Sequence, residues 1–288
     1  MDESEIPPGE AAPRVAPPAR LPDRLPDWLP DWLPDRRPAW LPAWLTAQRF
    51  AAASEATWPG AETVLQGNWR LRISPAEAGS RAASAWAAGP LPEDLPGAVA
   101  AVEAIYAAAG LAPRFQLWAE DAALDDWLEA TGLWRAYDRS LIVARPASAP
   151  WPAAPKGLET VQVRTPVALF DRLWAAGGIG PQRRAVFERG AGAKAIFLAR
   201  VGMAPAGAAG IALDGEVAVT QALWVSPAHR RQGVAAVLMA ALGTWAAEAG
   251  ATVLAHAVVA DNTAARTLYQ RLGFEPITAY HYRVREPS

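Results

Sequence analysis

A duplicated order of helices and strands restricts the fold of this chain more than any other feature of its sequence. A helical pattern that ends at Gly110 is matched by one that ends at Gly250, 140 residues later, and a strand-like run follows each. Further on, the run LEATGL from Leu128 corresponds to YQRLGF from Tyr269, at an offset of 141 residues. Nearly equal spacings over about 50 residues indicate duplication of one helix–strand–helix–strand unit.

Strands that alternate with helices are typical of a layered α/β fold. Alternating polarity predicts strands, and apolar residues three and four apart predict helices. In the first half we expect strands at 63–74, 115–118 and 140–144, a segment 80–88 that pairs with the first strand, and helices at 95–109 and 122–131. In the second half we expect strands at 161–164, 195–201, 206–213, 217–225, 253–259 and 277–284, two helices within 166–189, and helices at 234–249 and 263–272.

Proline marks the borders of the two halves. Of the 27 Pro residues, 12 lie in residues 1–60, where LPDR-LPDW-LPDW-LPDR-RPAW-LPAW forms a four-residue near-repeat. Because Pro at this density removes backbone donors, we expect 1–60 to be a disordered low-complexity tail. The tail is either a Trp-bearing motif for a partner or a sequence expansion without a role. A Pro-rich run predicts a linker at 147–157, between a smaller α/β subdomain at 61–146 and a larger domain at 158–288.

Composition excludes several classes of function. The chain has 27 Lys+Arg against 29 Asp+Glu, without the basic excess typical of nucleic-acid binding. With no Cys and three scattered His, it lacks a thiol nucleophile and the usual zinc ligands, so we expect no metal. The acidic start MDESEIPPGE is unlike a signal peptide, and no apolar run approaches the length of a membrane span. We therefore expect a cytoplasmic protein.

The second copy carries a polar segment that the first copy lacks. After the strand 217–225, the sequence VSPAHRRQGVAA leads into a long helix. The small residues Gly233 and Ala235 allow a ligand close to the backbone, and N–H groups at a helix start form an anion site suited to a pyrophosphate. Arg230 and Arg231 add positive charge at its mouth. An ordinary helix start is the alternative interpretation, and the first copy has PLPEDL at this place.

A second polar segment, DNTAARTLYQRLGF, follows at 261–274. Asn262 is expected at a helix N-cap, and Tyr269 lies about two helical turns further along the same face. The first copy has Asp121 or Ala122 in place of the Asn, and Leu128 in place of the Tyr. Each residue also has a structural interpretation, as a cap and as a core aromatic side chain.

In this order, the two segments resemble the GNAT superfamily of N-acetyltransferases. The residues that carry the resemblance are Arg230, Gly233, Ala235, Asn262, Tyr269, Gly273 and Phe274. It covers about residues 158–288, while residues 62–146 resemble a degenerate copy. The resemblance implies a tandem arrangement: a mixed, mostly antiparallel sheet flanked by helices, preceded by a smaller GNAT-like α/β subdomain.

The resemblance also implies an enzyme that transfers the acetyl group of acetyl-CoA directly to an amine in a ternary complex. Backbone N–H groups at 232–236 would hold the pyrophosphate, and the strand end 222–225 would pair with the pantetheine arm beside a splayed strand 253–259. An N–H near Val225 would face the thioester oxygen, and Tyr269 would protonate the departing thiolate. The implied cosubstrate-binding residues are Val225, Arg230, Arg231, Gln232, Gly233, Val234, Ala235, Ala236 and Asn262.

The sequence leaves the general base open. Where the family often has a carboxylate on its fourth strand, this chain has Gln221, with Asp214 and Glu216 at the far end of the strand. His256 has a suitable intrinsic pKa but is also typical of a hydrogen-bonded structural His. His281 either lines the acceptor pocket or packs, and a water chain is a further alternative.

Two other classes of function also remain open. One is a non-catalytic acyl-CoA-binding regulatory module, which the missing strand carboxylate favours and Tyr269 disfavours. The other is a scaffold whose Pro/Trp tail recruits partners, and this class predicts that deleting 1–60 abolishes function. We expect acetylation to survive that deletion. Peptide N-termini, lysines, small amines and antibiotics all fit as acceptors, and the sequence is compatible with a monomer or a homo-oligomer.

Overall fold

The structure, a computed structural model, describes residues 37–163 and 168–285. Its strands are β1 (Glu62–Gln66), β2 (Trp69–Ile73), β3 (Ala85–Ala87), β4 (Arg114–Trp118), β5 (Arg135–Pro146), β6 (Leu158–Val163), β7 (Lys194–Val201), β8 (Ala204–Asp214), β9 (Val217–Val225), β10 (Val253–Val259) and β11 (Glu275–Val284). Its helices are α1 (Ala47–Thr57), α2 (Leu95–Ala108), α3 (Ala122–Ala130), α4 (Ala168–Ala176), α5 (Pro181–Arg189), α6 (Val234–Glu248) and α7 (Thr263–Arg271). Within these ranges no helix is both long and apolar enough to cross a membrane.

All eleven strands form one sheet, in the order β1-β2-β3-β4-β11-β5-β10-β9-β8-β7-β6. The pairs β3–β4 and β9–β10 are parallel, and the other pairs are antiparallel. The two halves exchange their last strands, because β11 pairs with β4 of the first half and β5 pairs with β10 of the second. The expected mixed, mostly antiparallel sheet is confirmed, and the linker at 147–157 joins two halves of one continuous sheet.

The two copies correspond closely in their helix–strand–helix–strand units. α3 and α7 each have nine residues and start 141 positions apart, at Ala122 and Thr263. The helix before each of them is followed by a glycine in the left-handed region, Gly110 with φ 67° and Gly250 with φ 91°. A left-handed glycine is a common way to end a helix, so the same stop signal operates in both copies.

Most predicted elements of the second half have the expected bounds. β9 and β10 match their predicted ranges, and the two helices expected within 166–189 are α4 and α5. In the first half, the strand expected at 63–74 is a hairpin of β1 and β2, which turns at Gly67 with φ 57°. The segment 80–88 contains a 3₁₀ turn, Ser80–Ala82, before the short strand β3 pairs with β2.

The disordered tail expected at 1–60 is wrong for its second part. Residues 1–36 lie outside the described residues, but residues 47–57 form α1, with Thr46 Oγ1 accepting from Arg49 N at 3.1 Å as the N-cap. Phe50 is 1% exposed, and Leu41 of the last repeat unit and Leu45 directly after it are also buried in the same cluster. The apolar side chains of this segment cover the sheet, an effect that the Pro-biased composition concealed.

α1 contacts both halves of the protein. Toward the first half, the Glu55 carboxylate accepts hydrogen bonds from Arg70 at 2.9 Å and from Trp86 Nε1 at 2.8 Å. Toward the second half, Arg49 pairs with Asp214 at 2.6 Å. Deletion of 1–60 would remove this helix, so the expectation that the deletion is harmless no longer holds.

The core has two layers because alternate residues of each strand point to opposite faces. On one face, which we call the α6 face, Ala218 and Leu254 pack with α6 and α7. On the other, the α1 face, Val217 and Val253 pack with α1. α4 and α5 pack in a separate cluster that includes Trp58.

The linker packs against α6 through Trp151. The Arg145 guanidinium lies 3.9 Å from the Trp151 ring centroid and donates to the carbonyl oxygens of Leu272 and Pro150. A Cβ added at Gly243 of α6 would overlap the Trp151 ring. The linker thus holds a fixed position along the helix whose start was predicted to bind the cosubstrate.

Candidate active site

A gap opens in the sheet where two parallel strands diverge. β9 pairs with β10 only from Val217 to Thr220, whereas β10 stays paired with β5 as far as Val259. At the divergence, Ala222 has φ 53° and the register against β8 shifts. A left-handed conformation is uncommon for a residue with a Cβ and tends to occur at functional sites. The bulge turns the end of β9 away from β10 and leaves a slot between them.

The next helix after β9 is α6, which begins after a connection of eight residues that includes the 3₁₀ turn Pro227–His229. Its N-cap is Gly233 with φ 91°, no side chain caps it, and its first turn has no acidic residue. The first backbone bond of the helix is from Val237 N to the Gly233 carbonyl. The N–H groups of 234–236 therefore have no partner within the helix and, with the helix dipole, attract an anion.

The equivalent helix of the first copy has a different start. Its N-cap is Asp94, whose Oδ1 accepts a hydrogen bond from Gly97 N at 3.0 Å. A carboxylate of the protein itself thus occupies the position in which an external anion would bind. Leu128, the counterpart of Tyr269, is fully buried in the core. The uncapped helix start and the phenol are both specific to the second copy.

The predicted cosubstrate-binding residues around this helix start have different environments. Arg230, Arg231 and Gln232 are exposed, and Arg231 has a left-handed φ of 64°. Val234 is buried, so only its backbone is available to a ligand, whereas Ala235 and Ala236 are partly exposed.

The structure gives a second reason for a glycine at position 233, beside the one predicted from the sequence. A Cβ added at Gly233 would lie 3.1 Å from Pro155 Cγ and 3.4 Å from Leu158 Cδ1. Its lack of a side chain therefore makes room for the end of the linker, while its positive φ shapes the turn.

Asn262 and Tyr269 occupy the two ends of α7. The Asn262 side chain accepts from Ala265 N at 3.0 Å and caps the helix. Tyr269 is 2% exposed, and its ring lies 4.6 Å from the His256 ring and 5.5 Å from that of Phe274. Burial raises the pKa of the Tyr269 phenol above its ordinary value, so the phenol is protonated at neutral pH.

The candidate bases are engaged in other interactions. His256 Nδ1 lies 2.5 Å from Thr220 Oγ1, and burial, with a smaller effect of the Arg81 charge, lowers the pKa of His256 to about 4. The imidazole is thus neutral at pH 7 and a weak base. Asp214 is paired with Arg49, and the buried Gln221 donates to Thr57 Oγ1 at 3.2 Å.

His281 does not line the acceptor side of the slot. Its Nε2 lies 3.1 Å from Asp125 Oδ1, which also accepts from Arg283 Nε at 2.6 Å. All three side chains are buried, and Asp125 belongs to α3 of the first half. Of the two predicted alternatives for His281, packing is the correct one.

Sequence reasoning missed the residues that the first half brings to the slot. Arg81 Nη2 donates to Gln221 Oε1 at 2.8 Å, and its guanidinium lies 5.0 Å from the Trp58 ring centroid. Next to it, Ser80 Oγ lies 2.8 Å from the Tyr137 hydroxyl. No local pattern signals these contacts, because Arg81 and Gln221 are 140 positions apart.

Comparison with known proteins agrees with this geometry. Residues 167–274 match the family model described as "Acetyltransferase (GNAT) family". A curated relative, the uncharacterized N-acetyltransferase YobR of Bacillus subtilis (strain 168), is 36% identical over 61 residues, which cover 21% of this chain and 25% of the relative. The match to this relative thus spans about a quarter of its length.

Solved structures extend the similarity to most of the described chain. A GCN5-related N-acetyltransferase from Kribbella flavida has a TM-score of 0.67 at 20% identity, covering 84% of this chain and 96% of that one. A tandem GNAT protein from the clavulanic acid biosynthesis pathway has a TM-score of 0.54 at 15% identity, covering 83% and 89%. At these identities the comparison establishes the fold alone. The matched region includes both halves of the chain.

Proposed function

We propose that the protein is an N-acetyltransferase that moves the acetyl group of acetyl-CoA directly to an amine, because residues 167–274 match the model of the GNAT acetyltransferase family. The observation that carries the proposal is the divergence of β9 from β10 beside an uncapped α6. The catalytic residues belong to 158–288, and 61–146 forms part of the acceptor wall. The acceptor and acetyl-CoA occupy the site together, since the chain offers no Cys to carry the acetyl group.

The chain fits acetyl-CoA at both ends of the slot. The N–H groups of 234–236 bind the pyrophosphate, with Arg230 and Arg231 adding charge and Gln232 and Asn262 at the rim. Beyond Gln221, the edge of β9 that faces the gap has no strand partner from β10, so its backbone pairs with the pantetheine amides. The Val225 end of this edge holds the thioester oxygen near a backbone N–H as negative charge develops there.

The reaction then needs two proton transfers. The neutral amine attacks the thioester carbonyl carbon, the new C–N bond forms, and the C–S bond breaks. Tyr269 gives its proton to the departing thiolate, a role for which a phenol that stays protonated at neutral pH is suited. The second transfer returns the proton released by the attacking nitrogen, through water, to the Tyr269 phenolate. The neutral amine itself forms when the acceptor ammonium loses a proton to water, since β9 offers an amide at Gln221 in place of a carboxylate.

Replacement of Tyr269 tests this assignment. We expect Tyr269→Phe to lower kcat about 100-fold, the scale of general acid catalysis, and to leave the Kd of acetyl-CoA unchanged. The assay is thiol release with amino acids, peptides, polyamines and aminoglycosides, beside titration calorimetry for acetyl-CoA. Tyr106→Phe is the matched control, because Tyr106 is a buried tyrosine of the first half that donates to the Arg72 carbonyl.

The same experiment separates the proposal from its alternative. Full activity of Tyr269→Phe at saturating amine would remove the phenol from the mechanism. Tight acetyl-CoA binding by the wild-type protein, with no turnover of any amine, would instead favour a regulatory acyl-CoA-binding module. The amide of Gln221 at the position of the usual strand carboxylate is the observation that supports this second candidate.

A further inference from the structure

Arg81 belongs to the first half but lies at the slot of the second. It sits in the 3₁₀ turn Ser80–Ala82, outside the residues that match the family model, and crosses to β9. Its hydrogen-bond partner Gln221 directly precedes Ala222, the bulge at which β9 leaves β10. Gln221 also contacts Thr57 of α1, so Arg81 approaches the slot from the α1 face. Tyr269 lies on the opposite, α6 face.

The charge of Arg81 has no counterion among the described residues. Its side-chain contacts there are the neutral Gln221 amide and the Trp58 ring, although the side chain is partly buried. Arg49 and Arg283 contact the carboxylates of Asp214 and Asp125, whereas the buried Arg72 and Arg145 donate to neutral groups of the protein. Arg81 is thus partly desolvated, has no carboxylate in contact, and lies beside the bulge of β9.

A second guanidinium lies beside the same turn. A Cβ added at Gly79 would be 3.3 Å from Arg183 Nη2 and 3.7 Å from Arg183 Cζ. Arg183, on α5, has no carboxylate oxygen within 4.0 Å in the part of the chain that the structure describes, although its charge acts at longer range on the Asp138 carboxyl of β5. The turn at 79–81 thus carries positive charge from the first half, on Arg81, and lies beside positive charge from the second half, on Arg183.

A carboxylate is the group that fits this arrangement. The guanidinium fork binds a carboxylate through two parallel hydrogen bonds, and such charge-assisted bonds are about twice as strong as neutral ones. The aromatic ring of Trp58 fixes the plane of the Arg81 fork from one side. Binding of an anion here also removes the cost of a partly buried, uncompensated charge.

We propose that the acceptor is an amine that carries a carboxylate close to its amino group, and that Arg81 binds this carboxylate, assisted by Arg183. The substrate class is then an amino acid or a compound of similar shape. This inference rests on the proposed acetyltransferase function, whose acceptor it specifies. It makes Arg81 a specificity-determining residue supplied by the half that lacks the cosubstrate site.

The test compares ligands that differ only in charge. N-acetylglycine, N-acetyl-L-leucine and N-acetyl-L-glutamate mimic the products, and their 1-carboxamides lack the carboxylate next to the amide. Ligand-observed NMR on the full chain with bound CoA measures the Kd of each. We expect the wild-type protein to bind at least one acid 10- to 100-fold more tightly than its carboxamide, the scale of a charge-assisted hydrogen bond.

The variants identify the residue responsible. Arg81→Gln should abolish this preference by weakening the acid alone, with the Kd of acetyl-CoA unchanged, and Arg81→Lys should keep part of it. Arg81→Lys also serves if the Gln variant does not fold. Arg172→Gln is the control, because Arg172 is an exposed arginine of α4.

The outcomes separate this inference from the proposed function. Equal binding of acids and carboxamides, no binding of any acid, or an undiminished preference in both Arg81 variants would overturn the carboxylate site. A preference that depends on Arg81, with no amine acetylated, would overturn the acetyltransferase and leave the carboxylate site standing. Acetylation of amines without any preference for a carboxylate would overturn the carboxylate site and leave the acetyltransferase function standing.

Discussion

Two glycines at opposite ends of α6 allow the anion site to be tested against a matched control. Gly233 begins the helix and Gly250 follows its end, and both have φ 91°. Replacement by Ala imposes the same left-handed conformation on a Cβ, which costs about 1–2 kcal/mol. At Gly250 the new Cβ meets nothing within 4 Å, whereas at Gly233 it lies 3.1 Å from Pro155. Gly250→Ala should lower the free energy of unfolding by about this amount, and Gly233→Ala by somewhat more, because Pro155 must also move.

Gly233→Asp adds a charge to the same strain. The side chain would stand where Asp94 caps the first copy and would accept from the free N–H groups of α6. The cap returns about 1 kcal/mol, so the free energy of unfolding should stay within about 1 kcal/mol of that of Gly233→Ala. Acetyl-CoA loses those same donors, each worth about 1.5–3 kcal/mol to a charged group. Its Kd should rise about 10- to 100-fold.

Titration calorimetry for acetyl-CoA and urea unfolding followed by Trp fluorescence measure the two effects separately. Gly250→Ala should keep the wild-type Kd, Gly233→Ala should weaken binding slightly through the displaced linker, and Gly233→Asp should weaken it most. If Gly233→Asp and Gly250→Ala bind acetyl-CoA equally well, the pyrophosphate is held elsewhere and the argument from the uncapped helix fails.

Three further predictions concern the framework around the site. Phe50→Ala should lower the free energy of unfolding, measured with urea, by about 3–5 kcal/mol. Trp44→Ala, at a residue 42% exposed, should change it little. Equal effects of the two substitutions would contradict the packing of α1. Burial raises the pKa of Asp121 from 3.8 to about 7, so the folded state binds the extra proton between these values and loses stability as the pH rises through them. Asp121→Asn removes this loss, and its advantage over wild type should grow by about 2 kcal/mol between pH 5 and pH 8 in urea unfolding; a constant difference would refute it. Gly243→Ala should destabilise the protein, because its Cβ overlaps Trp151, whereas this substitution in a helix usually stabilises by about 1 kcal/mol. In a Trp151→Ala background the stabilisation should return. Persistence of the destabilisation would place the clash elsewhere.

The sequence predicted best those features that depend on near neighbours. The bounds of β9 and β10 follow from short apolar runs between turn residues, and the ends of α2 and α6 follow from Gly110 and Gly250. Periodicity and helix-stop signals are local, so the residues beside them are sufficient to specify them. The equal spacing of helices and strands in the two halves also predicted that the second half repeats the first.

The features that the sequence did not predict depend on contacts between distant residues. β5 and β11 are both long strands with buried segments, and nothing in their alternation indicates that each pairs with the other half. α1 contains no strong apolar pattern, and it is stabilised by the sheet surface that its Phe50 covers. Arg81 reaches the slot only because the two halves are joined in one sheet.

The exchange of last strands has a consequence for how the chain is made. β11 inserts between β4 and β5, yet it leaves the ribosome more than a hundred residues after both of them. Until then β4 and β5 each expose an unpaired edge, and such edges favour association with other chains. Contacts between distant strands also slow folding. The first half, although synthesised early, therefore completes its sheet only after most of the second half has been translated, and nascent chains that stop short of β11 should be prone to aggregate.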